Sequence, residues 1–400
     1  MKILKTKKIN SYLFFAMFLL VLNSGFSQES QVDEKKTEKE LKKEERKEKR
    51  ELKIASGKPL LFPIIAPGYT PELGGLLVVG GLISFKTNTS DTLIQRSSLP
   101  ISFSYSTRGS IVFNAFLKSF WLKDKLRIFG DFWYKDMPDH YWGVGYENGM
   151  DTPRSDSTTV YNRKWWWINP QVFWQFKKNL FLGVNIDFNS NKGFNASEGV
   201  ANDSIYQEYN GRPFNSGIGI IIRLDSRDVP VDTHTGILFD LRTTFYGSFL
   251  GGQNNFRVYQ VDYKQFVKIK HESQILGWFL KGRFSFGDVP YGEMSQLGSP
   301  FDLRGYYWGR FRDNNMIFFL SEYRHRFMNK KGNSTRHGPV IWAGAGTIFS
   351  NKSDPSNNFK LLPNFGVGYR LELLPRMNAR LDFGIGKNST GFYFNFNQAF

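Results

Sequence analysis

Cysteine is absent from this sequence, which removes a disulfide framework and a thiol-linked lipid anchor from consideration. Long apolar runs are nearly absent as well. The one example, "YLFFAMFLLVL" at 12–22, is shorter than the ~20 residues a membrane-spanning helix needs. Histidine is scarce, and His140, His234, His271, His325 and His337 form no spaced metal set. No Ser-His-acid constellation is visible either, so neither an enzyme nor a bound metal or other cofactor is expected. Helical periodicity is almost missing beyond the first 56 residues.

What is present at the start reads as a secretory signal over 1–27. Lys2, Lys5, Lys7 and Lys8 make a basic region, the apolar run follows, and the small residues of "SGFS" suit a signal peptidase. Residues 28–56 contain "EKKTEKELKKEERKEKRELK" (34–53), in which both charge signs mix with no apolar stripe to dock a helix. This segment is expected to be a charged periplasmic spacer. The remainder, 57–400, reads as one domain.

That domain alternates with period two. Ile101, Phe103 and Tyr105 interleave with serines, and Leu182, Val184, Ile186 and Phe188 with Gly183, Asn185 and Asp187. Ile237, Phe239 and Leu241 flank Asp240 and Arg242, while Leu381, Phe383 and Ile385 flank Asp382. The segments are long, and a tilted strand of about 10 residues matches the apolar band of an outer membrane. Aromatics gather in "FWY" (132–134) and "WWW" (165–167), as expected of interfacial girdles. Asp187, Asp240, Arg242, Asp262, Lys264 and Asp382 fall mid-strand on the opposite face, where a dry core would exclude them and a wet lumen would not. An all-β transmembrane antiparallel barrel follows.

Sixteen strands are expected, near 74–86, 97–107, 109–119, 124–136, 139–147, 164–177, 179–190, 214–224, 235–248, 254–270, 274–287, 314–328, 338–349, 361–373, 377–386 and 391–400. "STRG", "MPDH" and "KKN" would be tight periplasmic turns, opposite long external loops at 148–163, 191–213, 288–313 and 350–360. Within the third of these, "LRGYYWGRFRD" carries Arg304 beside Gly305, among aromatics too apolar to lie free in water. The loop is therefore expected to fold into the barrel.

At this point the sequence resembles the BamA/TamA family of outer-membrane barrels, also called bacterial surface antigens. "LRGY" (Leu303, Arg304, Gly305, Tyr306) resembles the family's lumenal-loop signature, and "EYR" (322–324) the strand after it. Asp225, Arg227 and Asp228 in "LDSRDVPVDTHTG" resemble its periplasmic turn, which Asx bonding would close on itself rather than around a cation. Phe392, Phe394, Phe396 and Phe400, placed on one face, resemble the terminal signal that such proteins offer to their assembly machinery. The resemblance covers residues 70–400.

There are departures. Between leader and first strand the chain is too short for the family's polypeptide-transport-associated (POTRA) domains. The family's aspartate opposite the loop arginine is replaced by Gly344, so Glu322 becomes the candidate partner, inward-facing with Arg324 and Arg326.

The resemblance implies a Gram-negative outer-membrane location and a role in inserting or translocating proteins or lipids. The proposed route is a weak seam between the last strand and a glycine-rich first one, "GGLLVVGG" (74–81). A passive or gated channel, or a structural barrel, is the alternative. Expected partners are outer-membrane lipids, unfolded outer-membrane protein or lipid clients, and the machinery for its own insertion. The formal charge of +17 suits lysine and arginine at lipid head groups; no nucleic-acid motif accompanies it, so nucleic acid is not expected.

Overall fold

A computed structural model describes residues 56–400 except 71, 72, 92, 93, 352–359 and 375, together with Glu45 and Leu52. The leader and almost all of the spacer lie outside the described residues. No described helix is long and apolar enough to cross a membrane.

Strands cross instead. The barrel strands are β1 (Leu60–Thr70), β2 (Gly74–Phe85), β3 (Ser97–Ser106), β4 (Ile111–Trp121), β5 (Leu126–His140), β6 (Val160–Lys177), β7 (Leu180–Phe194), β8 (Phe214–Asp225), β9 (Gly236–Tyr246), β10 (Phe256–Lys268) and β11 (Gln274–Gly287). They continue with β14 (Asn315–His325), β15 (His337–Phe349), β16 (Leu362–Leu374), β17 (Met377–Gly386) and β18 (Ser389–Phe396). These sixteen close into an antiparallel ring, each neighbour in sequence being a neighbour in space. The short pair β12 (Ser295–Leu297) and β13 (Phe311–Asp313) lies in the loop between β11 and β14.

The count of sixteen arises from two compensating errors in the sequence reading. One was the omission of β1: "LLFPIIAPGYT" holds Pro63 and Pro67, and proline inside an alternating run argues against a strand except at an edge. The other was the division of β5, which runs unbroken through "MPDH", with Met137 to His140 paired to β6. Past His140 the strand pattern fails, because Gly143 and Gly145 both take positive φ. A short helix α1 (Tyr146–Asp151) takes only the last two residues of the expected strand 139–147, whose first two, Asp139 and His140, end β5.

The edges also shift. The long loops share one edge, as expected, but "STRG" joins β3 to β4 at that same edge; "KKN" lies at the other.

Alternation decides the two faces. Leu61, Ile65, Val79, Phe103, Trp174, Val184, Ile220, Phe245, Phe319, Val367 and Phe383 are exposed and form an outward apolar belt. Asp187, Asp240, Arg324, Arg370, Arg380 and Asp382 are buried on the inward face. A one-residue slip would exchange the two sets, so the pattern pins the register.

Alternation also corrects the girdle reading. Trp165 and Trp167 share the inward face of β6 with buried Asn169 and Gln171, and Trp166 points outward; Trp133 is inward on β5 beside Asp131. The tryptophans therefore line the lumen as much as the lipid.

The ring is unevenly zipped. β1 meets β2 through eleven residue pairs, from Leu60↔Ser84 to Thr70↔Gly74, whereas among the described residues its register with β18 gives one pair, Tyr69↔Phe394. The glycine-rich 74–81 stretch lies in β2, paired with β1 throughout and with β3 from Leu76 onward, and is not the seam strand.

Candidate functional site

The loop between β11 and β14 folds inward and ends on the β14–β18 wall. Arg304 is fully buried. Its Nη2 donates to Glu322 Oε2 at 2.7 Å and its Nη1 to Asp382 Oδ2 at 2.9 Å, and the guanidinium lies 3.5 Å from the Trp342 ring centroid. The planar fork thus spans two strands at once, which a lysine point charge would not do.

Neighbouring residues fix that pose. Gly305 has φ +116, and a Cβ there would sit 2.8 Å from the Gly384 carbonyl carbon. Glycine is required twice over, by conformation and by the near contact of loop and β17 backbones. The Gly305 N–H donates to the Tyr393 hydroxyl at 3.0 Å, and Ser389 Oγ donates to the Gly305 carbonyl. Tyr306 Oη donates to the Pro363 carbonyl and accepts from the Lys387 N–H, both at 2.7 Å. Leu303 is buried with Leu297, Phe311 and Phe318 under the loop.

Around Arg304 the wall builds a larger ionic cluster. Arg324 Nε donates to Glu322 Oε1 at 2.8 Å, Arg370 Nη1 to Asp382 Oδ1 at 2.5 Å, and Arg380 Nη1 lies 3.4 Å from Asp382 Oδ2. Four guanidinium groups thus face two carboxylates. The surplus cations turn to backbone oxygens: Arg380 Nη2 donates to the Pro300 carbonyl and Arg324 Nη2 to the terminal oxygen of Phe400, both at 2.9 Å.

Sequence reasoning put Glu322 beside the loop arginine but read the family's second carboxylate as absent. It is supplied from elsewhere, by Asp382 on β17; Gly344 pairs with Leu320, leaving no side chain to fill that role. Asp382 was legible as an inward charge, but which strand the loop would reach was not. Arg370, Arg380, Trp342 and Tyr393 were missed for the same reason.

Arg326 lies just past the end of β14, where it joins Glu372 at 2.9 Å and Asp232 at 3.2 Å. Asp225 closes β8 and accepts from Arg227 Nε at 2.8 Å; Asp228 Oδ1 accepts from the His234 and Thr235 N–H groups. Burial alone would raise the Asp228 carboxyl, but backbone N–H groups led by that of His234, helped by Arg376, hold it below its ordinary range. The turn bonds to itself, and among the described residues no group of three His, Cys, Asp or Glu side chains could hold a metal.

Phe392 is exposed on the outer face, and Phe394 sits opposite Tyr69. Phe400 does not continue their row. Asn397 takes φ 62 and the chain turns inward, so that the Phe400 ring packs 5.6 Å from Phe279 and 6.0 Å from Phe266 inside the barrel.

The family model of the Omp85 superfamily domain matches residues 95–400. Among solved structures, the fold is similar to BamA from Haemophilus ducreyi lacking POTRA domains 1–3, at 12% identity and a TM-score of 0.56, covering 85% of this chain and 70% of that one. It is similar to CdiB from Acinetobacter baumannii at 12% identity and 0.53, covering 85% and 59%, and to CdiB from Escherichia coli at 10% identity and 0.56, covering 84% and 62%. This chain therefore spans less than two thirds of the CdiB chains. No curated protein matches the sequence.

Proposed function

This chain belongs to the Omp85 superfamily and lies in the bacterial outer membrane, and on that footing we propose that it assists insertion or translocation of proteins or lipids there through the β1/β18 seam. Its family consists of transport and insertion barrels, not enzymes.

The single observation that carries the reading is the contrast between eleven pairs at β1/β2 and one at β1/β18. Pro63 and Pro67 sharpen it. Neither interrupts the ladder to β2, and prolines in sheets sit where the missing N–H faces an unpaired edge. Successive residues of an antiparallel strand turn their backbone groups to opposite sides, so these two, four apart, share the side toward β18. Pro67, opposite the last residue of β18, therefore offers that strand no donor, and Pro63 lies beyond the end of β18. Where the seam parts, the backbone groups of its two edges can template an incoming strand, as exposed sheet edges do.

The Arg304 cluster serves as the anchor in this reading. It ties the loop to β14, β16 and β17, so the wall next to the seam stays rigid while the seam itself opens. Phe392, Phe394, Phe396 and Phe400 act as the signal for the barrel's own assembly, residues 1–27 as its leader and 28–56 as its spacer.

The absence of cysteine makes the test clean. Tyr69→Cys with Phe394→Cys places one thiol on each side of the seam in an otherwise thiol-free protein. In proteoliposomes, oxidation should stop the assisted insertion of an unfolded outer-membrane barrel, and reductant should restore it. Undiminished insertion with the seam locked would refute the seam mechanism.

A further inference from the structure

The wall across the ring from the Arg304 cluster carries an arrangement that the assembly reading does not use. Phe116 on β4, Trp133 on β5 and Trp165 and Trp167 on β6 all face the lumen. Phe116 and Trp133 meet edge to face at 5.2 Å, Trp133 and Trp165 lie 6.2 Å apart, and Trp165 stacks on Trp167 at 6.3 Å and 20°. Apolar side chains that serve only as packing are expected to be buried, as Leu297, Leu303 and Phe311 are under the loop. These four are only half-buried; the Lys135 ammonium already lies over Trp133 and Trp165, at 4.9 and 5.0 Å from their ring centroids, which leaves Phe116 and Trp167 as the rings without it.

Beside the rings runs a chain of planar polar groups. Gln171 Nε2 donates to Asp131 Oδ2 at 3.0 Å and to Asn169 Oδ1 at 2.7 Å. Asn169 Nδ2 donates to Asp187 Oδ2 at 2.8 Å, and the Trp167 indole N–H donates to the same oxygen at 2.6 Å. Next in this wall, Asn185 is 2% exposed, and neither its amide nitrogen nor its amide oxygen has a partner. A buried amide unpaired at both ends carries a desolvation cost that a hydroxyl-bearing ligand would relieve. Acidic and basic groups are interspersed, since Lys118 and Arg242 act on Asp131, so the wall does not select an ion of one sign.

We propose that this β4–β7 face of the lumen is a binding track for a neutral oligosaccharide. Flat aromatic faces stack on the C–H faces of sugar rings. Asn, Gln and Asp side chains exchange hydrogen bonds with sugar hydroxyls in the plane of the ring. Together they match a chain of pyranose rings better than a polypeptide, whose backbone would need a sheet edge. This site is independent of the seam, and either assignment stands if the other fails.

The test is titration of the detergent-solubilised full chain with maltohexaose, the fully N-acetylated chitohexaose and, as an anionic control, hexagalacturonate, by calorimetry and tryptophan fluorescence. Saturable binding of a neutral hexasaccharide is expected, with Trp165→Ala/Trp167→Ala weakening it by about tenfold or more. Should that variant lose its heat-modifiable gel shift, Trp165→Phe/Trp167→Phe retains the rings and should keep binding, while Gln171→Leu should weaken it. The proposal is overturned if neither neutral sugar binds the folded wild type, if the anionic control binds as well as they do, or if a folded ring-less variant binds like wild type.

Discussion

Arg304 and Asp382 are 78 residues apart in sequence, one on an external loop and the other on the penultimate strand, yet their side chains meet at 2.9 Å with neither exposed to solvent. The contact joins the loop to the barrel wall. It also sits in a cluster whose charge does not balance, and that imbalance decides how substitutions rank.

Removing a carboxylate should cost more than removing an arginine. Glu322→Gln or Asp382→Asn leaves four buried guanidinium groups with a single counter-charge, at the upper end of the about 3–5 kcal/mol typical of a broken buried pair. Arg304→Gln relieves some of the cation excess, so it should fall at or below the lower end. The charge swap Arg304→Glu/Glu322→Arg should fail to rescue, because it sets the new arginine against Arg324 and Arg370. Urea unfolding in lipid vesicles measures all four; a more severe Arg304→Gln would contradict the ranking.

Gly305→Ala should release the loop while leaving the barrel intact. The substitution meets both a strained φ and the Gly384 backbone, a cost of about 1–3 kcal/mol concentrated where the loop touches β17. Planar-bilayer recordings should show larger and more frequent openings than wild type, with an unchanged heat-modifiable gel shift. Wild-type conductance in the folded variant would mean that the loop does not limit the pore.

These two predictions rest on features of unequal legibility. Alternation in 182–188 or 381–385 specifies lipid and lumen faces directly, because side chains of a strand switch faces at every residue. It also brought Glu322 inward. It could not reveal Asp382 as the second ligand, since loop docking depends on tertiary geometry and not on periodicity. β1 was hidden because its prolines break the pattern that elsewhere marks a strand, and the same prolines distinguish the seam. The break after His140 was hidden because "HYWGVGYE" alternates as a strand does, while its glycines adopt backbone angles that strands do not.

Restoring the missing donor should tighten the seam. Pro67→Val returns an N–H group to the edge of β1 that lies opposite the end of β18, and keeps an apolar, lipid-facing side chain. Slower hydrogen exchange around Tyr69 is expected, with reduced client insertion. If exchange slows and insertion is unchanged, the seam is structural and the proposed route is wrong.

Stability of the inward loop should fall as pH rises through neutrality. Burial, reinforced by the Asp187 charge, raises the Glu293 carboxyl from 4.5 to about 7, against the weaker pull of Arg283 and Arg163. The folded protein therefore holds a proton that the unfolded chain has released between those values. Stability tied to Glu293 is complete below pH 4.5, declines through the interval and is lost above about 7. Glu293→Gln keeps a neutral group and should flatten the profile. Midpoints of thermal unfolding at pH 5 and pH 8 should differ less in the variant than in wild type, and an equal difference in the two would assign the pH dependence to other groups.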